Sequence, residues 1–351
     1  MKPCGILVKR HGKAGKMLNK IYSQYQKYGF QRAIKNIIYH LQTRERKRSF
    51  GLLNSDKTFY VIRSINDKNK FYIGPRNNLL ANYFYVLSHL QYAINNSWIP
   101  IVDQQNYPVY NSVDFPINGS KNAWEYYWQQ PSSYTLDEIY NSKNVILSKQ
   151  NWFSEFDMGY EANNYYSKNL IEFYNYLMQK VPFNNLTNKT IKQKMAGVLP
   201  IGKKVLGVNY RFGGHSLKHF AVAEGHPIQP EIDELVKIVA KKMSEWNIEY
   251  VFLASDTEEA INTFYKSFQG KFYFYKRIRD KESLKQGEHN ILLDADKINT
   301  TSIDYLTEMC LLAKCDSLIG SINSGFRYAM IKNNNMYSHV EVLNYGLVGK
   351  D

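Results

Sequence analysis

The sequence predicts an α/β protein whose second half is a parallel, doubly wound sheet. Two observations lead there. After Lys203, five short apolar stretches alternate with segments of helical periodicity, the pattern of strands joined by crossover helices. At 351 residues, 44% hydrophobic and 22% charged, the chain is an ordinary globular protein with room for two domains. The expected divisions are a basic extension over 1–50, a first domain over 51–195 and a second over 196–351.

Charge is concentrated at the amino-terminal end. The formal net charge is +14, and residues 1–50 hold 13 Lys and Arg against one acid, Glu45, so the remaining body is close to neutral. Within that segment Leu18, Ile21, Tyr22, Tyr25, Ile34, Ile37, Ile38 and Leu41 recur every three or four residues between cations, an amphipathic helical pattern interrupted near Gly29. Such a helix can lie on an anionic membrane, each cation near the surface adding about 1 kcal/mol. It can equally pack as a solvated arm on the protein's own body. "RERKRSF" (44–50) is expected to end the segment as a linker.

"KTFYVIRSI" from Lys57 reads as a strand, followed by a Gly-Pro turn, a helix from Asn78 to Asn95 and a strand from Ile99 to Val102. The turn precedes a helix N-terminus, whose free N–H groups suit a phosphate or a sugar hydroxyl. "NAWEYYWQQP" (122–131) offers either a sugar-stacking platform or core aromatics. "YNSKNVILS" gives another strand, Asn163 to Lys180 a helical stretch, and "VPFNNLTNKTIKQKM" a segment bridging the two halves.

In the second half the expected strands are Val205 to Tyr210, Tyr250 to Ala254, Lys271 to Tyr275, Ser317 to Ile319 and "SHVEVL". The helices between them run from Glu231 to Trp246, Glu258 to Phe268, Ile303 to Ala313 and Gly325 to Lys332. Ligands of such sheets bind at the carboxyl ends of the strands. Arg211 follows the first of these strands, Asp256 follows "YVFLAS", and "GSINSGF" (320–326) links the fourth to its helix. Arg211 offers a planar fork for a diphosphate. Gly320, Ser321, Ser324 and Gly325 bring amides and hydroxyls to a positive helix end. Asp256 and Glu308 are acceptors for ribose or a base amino group, with helix capping and ion pairing as their structural alternatives. Neither a GxGxxG nor a GxxxxGK[ST] pattern is present.

His215 and His219 have the spacing of helical metal ligands, but the glycines around them speak against a helix, so no metal is expected. His226 is expected to anchor the turn before a helix. Cys4, Cys310 and Cys315 are too few for a disulfide framework. With no apolar run of membrane-spanning length and no signal-peptide pattern, a cytoplasmic location is expected, peripheral on the inner membrane face if the basic segment binds lipid.

Blocks in a fixed order carry a resemblance. "GVNYRFGGH…GHPIQP", "VFLASDTEEA" and "YLTEMCLLAKCDSLIGSINSGF" are similar to successive segments of the fucosyltransferase superfamily that contains the core α1,6-, nodulation and protein O-fucosyltransferases. "YVIR", "AINNSWIPIVD", "NAWEYYWQQP" and "SKNVILS" resemble its bacterial members from polysaccharide-synthesis loci, and the likeness covers about residues 57 to 335. It implies a GT-B fold, two Rossmann-like domains facing a cleft, and metal-independent, inverting transfer from a GDP-sugar such as GDP-fucose to a capsular or other surface glycan, or a lipid-linked oligosaccharide. By that resemblance Arg211 grips the diphosphate, and Asp256 and Glu308 hold the nucleoside. By the same resemblance Ser324 and Phe326 line the β-phosphate and base pocket, and Gly74 and Asn77 face the sugar.

Two positions depart from the family pattern. Asn209 stands where the family has His, and still offers a hydrogen-bond donor. Gly214 stands where an acid is expected, leaving His215, His219 and Glu224 as substitutes; Glu224 is the expected acceptor of the acceptor's proton. Gly214 also leaves open a nucleotide-sugar-binding protein without catalysis. A nucleic-acid binder using the basic arm is the remaining alternative.

Overall fold

The computed structural model describes residues 44–63, 79–105, 117, 119–149, 153, 158–211, 226–277, 279 and 295–349, with backbone alone for 295–298. Gly74, Asn77, Gly214, His215, His219, Glu224, Cys4 and the amphipathic pattern of residues 1–43 lie outside these residues.

The described chain is α/β with two sheets. The first has the order β1-β4-β2-β3, from β1 (Arg46–Arg48), β2 (Phe59–Arg63), β3 (Ile99–Asp103) and β4 (Val145–Leu147). β2 runs parallel to both β3 and β4, and β1 antiparallel to β4. β1 overturns the linker reading of 44–50. Its side chains Arg46, Lys47 and Arg48 are half-buried or exposed, so what they contribute to the sheet is main-chain pairing, which a hydrophobic pattern does not reveal.

α1 (Leu79–Asn95) crosses behind this sheet and is buried nearly all round, Tyr83, Tyr85, Leu87 and Leu90 among its covered residues. Its polar members are paired in place. Asn82 exchanges two hydrogen bonds with Gln104, at 2.8 and 3.0 Å, and His89 Nδ1 lies 2.8 Å from Tyr60 Oη. The aromatic run beside it is core. Trp124, Tyr126 and Tyr127 are 0% and Trp128 2% exposed, with Trp124 and Trp128 stacked at 4.7 Å, so these rings are withdrawn from any sugar. Beyond them Gln130 closes the outer edge of β3: its Oε1 accepts from Val102 N and its Nε2 donates to Val102 O, each at 2.9 Å.

The capping-box helix α2 (Leu136–Ile139) precedes β4. The expected helix from Asn163 divides into a 3-10 turn (Ala162–Tyr166) and α3 (Lys168–Lys180), because Ser167 turns extended and caps α3 by accepting from Leu170 N. The segment taken as a bridge is mostly helix, α4 (Asn185–Met195), capped by Asn184.

The second sheet has the order β7-β6-β5-β8-β9 and is parallel throughout. Its strands are β5 (Val205–Tyr210), β6 (Tyr250–Ser255), β7 (Phe272–Phe274), β8 (Ser317–Ser321) and β9 (His339–Leu343). The helices are α5 (Ile232–Glu245), α6 (Glu258–Ser267), α7 (Ala295–Leu312) and α8 (Ser324–Asn333), α7 starting eight residues before the expected Ile303. Leu206, Val208 and Tyr210 of β5 pack with α5 and α6, while Val205 joins α7 and α8 on the opposite face. Gly207 lets α7 come close, since a Cβ there would sit 3.1 Å from Leu312 and 3.2 Å from Cys315. The sheet is doubly wound.

The face bearing α7 and α8 shares its core with the first half. Tyr60, Tyr83, Trp124 and Leu177 belong to one buried cluster with Phe252, Leu306, Met309 and Phe326. α4 packs on α7, and α3 and α1 on α8. Polar ties follow the same seam: Lys194 Nζ lies 3.0 Å from Asp304 Oδ1, and the buried Arg327 donates to Tyr165 Oη at 3.1 Å and Gly159 O at 2.9 Å.

Candidate functional site

The strand order of the second sheet reverses between β5 and β8, so the crossovers leave these two strands in opposite directions and open a crevice beyond their carboxyl ends. Asn209 stands opposite Gly320 in the parallel register. Arg211, two residues beyond Asn209, and the turn from Ser321 into α8 therefore emerge side by side. A hollow of about 610 Å3 lies at the other end of this sheet, lined by Gly202, Lys203, Asn247, Tyr250 and Lys271. We place the site at the carboxyl end, where the reversal opens the sheet and a helix N-terminus faces outward.

The turn into α8 is built by Asn323. Its Oδ1 accepts from Gly325 N at 2.9 Å and Phe326 N at 3.0 Å, and its Nδ2 donates to Asn209 Oδ1 at 2.6 Å and Ser321 O at 3.1 Å. Asn209, 6% exposed, is thus a strut between β5 and the turn, with Met309 Sδ 4.0 Å from its Nδ2. Because the Gly325 and Phe326 amides are taken by this cap, the first-turn amide it leaves over is that of Ser324, a half-buried residue. Phe326 is wholly buried against Tyr165, ring centroids 5.8 Å apart, and Ser321 is 1% exposed with an Oγ that makes no hydrogen bond among the described residues. Gly325 allows α7 to approach, as its Cβ would meet Met309 Sδ at 2.6 Å and Tyr305 Oη at 3.2 Å.

Arg211 is half-buried and makes no hydrogen bond or ion pair to the described residues. His226 lies close enough for its charge to matter. Burial first, then the Arg211 guanidinium, holds the His226 imidazole below its ordinary range. The His226 carbonyl accepts from Val348 N at 2.9 Å, tying the start of the α5 approach to the carboxyl-terminal segment.

At the end of β6, Asp256 is half-buried, and capping of α6 falls to its neighbour: Thr257 Oγ1 accepts from Ala260 N at 3.3 Å. Glu308 is 1% exposed and gives both oxygens to arginines, Arg277 Nε at 3.0 Å and Arg279 Nη2 at 2.8 Å. Burial dominates for each of the innermost partners, pushing the Glu308 carboxyl up and the Arg279 guanidinium down, with their mutual attraction opposing both. Tyr305 joins the two groups of charges. Burial pushes its hydroxyl up to about 12, while Arg211 and Arg277 pull it down. The structure thus brings Asn209, Arg211, Asp256, Glu308, Ser324 and Gly325 to one end of the second sheet, and adds Arg277, Arg279, Tyr305 and Asn323, which the sequence reading missed. "KRIRD" (276–280) reads as a solvated charge run; the available signal was a lone acid, Glu308, inside the apolar "YLTEMCLL".

No protein-family model and no curated protein matches the chain. Among solved structures it is similar to NodZ alpha-1,6-fucosyltransferase soaked with GDP-fucose, at 11% identity over 78% of this chain and 92% of that one, TM-score 0.42. It is similar also to fucosyltransferase NodZ from Bradyrhizobium, at 11% identity over 78% and 92%, TM-score 0.41. For POFUT1 in complex with GDP the figures are 8% identity over 84% and 76%, TM-score 0.37. At such identities and scores the likeness carries none of the residue assignments, which rest on the geometry.

Proposed function

We propose that the chain is a glycosyltransferase of GT-B organisation that transfers fucose from GDP-fucose, with inversion and without a metal, to a bacterial surface-glycan or lipid-linked oligosaccharide acceptor. The supporting observation is the register of Asn209 against Gly320, which sets Arg211 beside the N-terminus of α8 at the point of strand-order reversal. A guanidinium and a positive helix end adjoining one another suit a diphosphate more than any neutral ligand.

In the proposed reaction the acceptor hydroxyl oxygen attacks the anomeric carbon from the face opposite the diphosphate. The bond from that carbon to the β-phosphate oxygen breaks and its electron pair leaves with GDP. Arg211 and the Ser324 amide stabilise the charge that arrives there. The hydroxyl's proton passes to a carboxylate, proposed as Glu224 on sequence grounds. Residues 196–351 bind the donor, with Asp256 on the nucleoside; residues 51–195 present the acceptor side, with Gly74 and Asn77 toward the sugar. The basic segment 1–50 is proposed to hold the protein against the anionic inner face of the cytoplasmic membrane. No helix among the described residues is long and apolar enough to cross it.

Arg211→Ala is expected to lose two to three orders of magnitude, roughly 3 to 4 kcal/mol, in transfer from GDP-fucose while its thermal unfolding stays unchanged. Wild-type turnover by this variant, or a wild-type chain that neither binds GDP nor consumes GDP-fucose, would sink the proposal.

A further inference from the structure

Glu308 is shut away from a ligand by burial behind two arginines. Its oxygens already accept from Arg277 Nε at 3.0 Å and from Arg279 Nη2 at 2.8 Å, in a site where its side chain is 1% exposed. Arg279 is sealed in as well, donating also to Ser255 O and Tyr275 O at 3.0 Å each. Arg277 differs. Its Nη2 donates to the Ser255 carbonyl at 3.0 Å, its side chain keeps 11% exposure, and its Nη1 has no hydrogen bond among the described residues.

That carbonyl marks the carboxyl end of β6, immediately before Asp256. In a doubly wound sheet the phosphates lie at the reversal point and the nucleoside extends over the neighbouring strand of the first half, which here is β6. Arg277 therefore stands on the nucleoside side and Arg211 on the phosphate side. A guanidinium carries donors only. Its complement on a base edge is a pair of acceptors, such as O6 and N7 of a 6-oxopurine, which a planar fork meets with two bonds. Adenine places a donor at the same position. A carboxylate would instead read N1–H and the 2-amino group of guanine.

We propose that Arg277 reads the base of the nucleoside diphosphate through its O6/N7 edge, and that Glu308 is a positioning residue that holds the Arg277 fork at the end of β6. The inference rests on the donor-site reading above and replaces the role expected there for Glu308.

The two ways of reading a base predict different selectivities. Inosine diphosphate keeps O6, N7 and N1–H but lacks the 2-amino group, and ADP loses the O6 acceptor. Calorimetric titration of the full chain is expected to give nearly equal affinity for GDP and inosine diphosphate, with ADP weaker by about tenfold to a hundredfold. Arg277→Ala should bring GDP down to the ADP level and leave ADP unchanged. Glu308→Gln should do the same, a selectivity change that mere loss of packing would not produce. If GDP binds the wild-type chain much more tightly than inosine diphosphate, a carboxylate is the reader and the inference is overturned; that comparison needs no variant and stands even if the variants fail to fold. An unchanged GDP-to-ADP ratio in folded Arg277→Ala overturns it equally. Failure of all three diphosphates to bind the wild-type chain removes the donor-site reading itself, and this inference with it.

Discussion

At Gly320 a methyl group would lie 2.7 Å from the Asn209 carbonyl oxygen and 2.9 Å from the Phe326 ring. Neither neighbour is the free end of a flexible side chain, so the backbone has to move. Gly320→Ala is expected to cost about 1 to 3 kcal/mol by overpacking, read as a shift in urea midpoint. A second residue-level consequence concerns protons. Because burial and Arg211 depress the His226 imidazole, the unfolded chain takes up its proton more readily than the folded one. Its contribution to stability is present above the unfolded value of about 6.5 and is lost as pH falls through the folded value. A diphosphate seated on Arg211 cancels part of the repulsion and raises His226 again. GDP-fucose, whose esterified diphosphate has no proton to lose in this range, should therefore bind below about pH 6.5 with proton uptake, measurable by calorimetry in buffers of different ionisation enthalpy. Release of protons there would contradict the placement of Arg211 beside His226 at the ligand.

Among elements, α8 depends most on one side chain. Asn323 caps the helix and braces it against Asn209, so Asn323→Ala should lose about 1 kcal/mol for the cap and a further 1 to 3 for the Asn209 oxygen left buried. Asn323→Ser restores the cap without the brace and should recover only the first part, as chemical denaturation would show. This brace also marks where the sequence was legible and where it was not. "VLGVNY", "YVFLAS" and "DSLIG" were readable as strands because central parallel strands are apolar on both faces, and their order placed Arg211, Asp256 and the 320–326 turn at one end of the sheet. β1 escaped notice because "RKR" enters its sheet through the main chain. Residues 295–302, "ADKINTTS", hold β-branched and polar residues that favour a late start for α7, yet the helix already runs through them. The Arg277–Glu308 and Arg279–Glu308 pairs join residues 31 and 29 positions apart, a distance at which spacing says nothing. Asn323, between Ile322 and Ser324, carries no local signal of its brace, because the partner lies 114 residues away.

For the molecule as a whole, the sequence suggests two domains, and the described core runs between both sheets without a break. Buried residues of α1 and α3 share their neighbours with α7 and α8, and Arg327 reaches from α8 to lie 5.1 Å from the Phe84 ring centroid on α1. Exposing either sheet would strip apolar cover from the other. Scanning calorimetry is accordingly expected to give one cooperative transition, with calorimetric and van't Hoff enthalpies in agreement; two resolved transitions would show that the seam contributes little. The Gln130 amide on Val102 has an effect at this scale too. It plugs one rim of the first sheet as a partner strand would, while the other rim, β1, presents Arg46, Lys47 and Arg48. Molecules meeting rim to rim would confront an occupied ladder on one side and like charges on the other, so stacking into fibres through this sheet is discouraged at both borders.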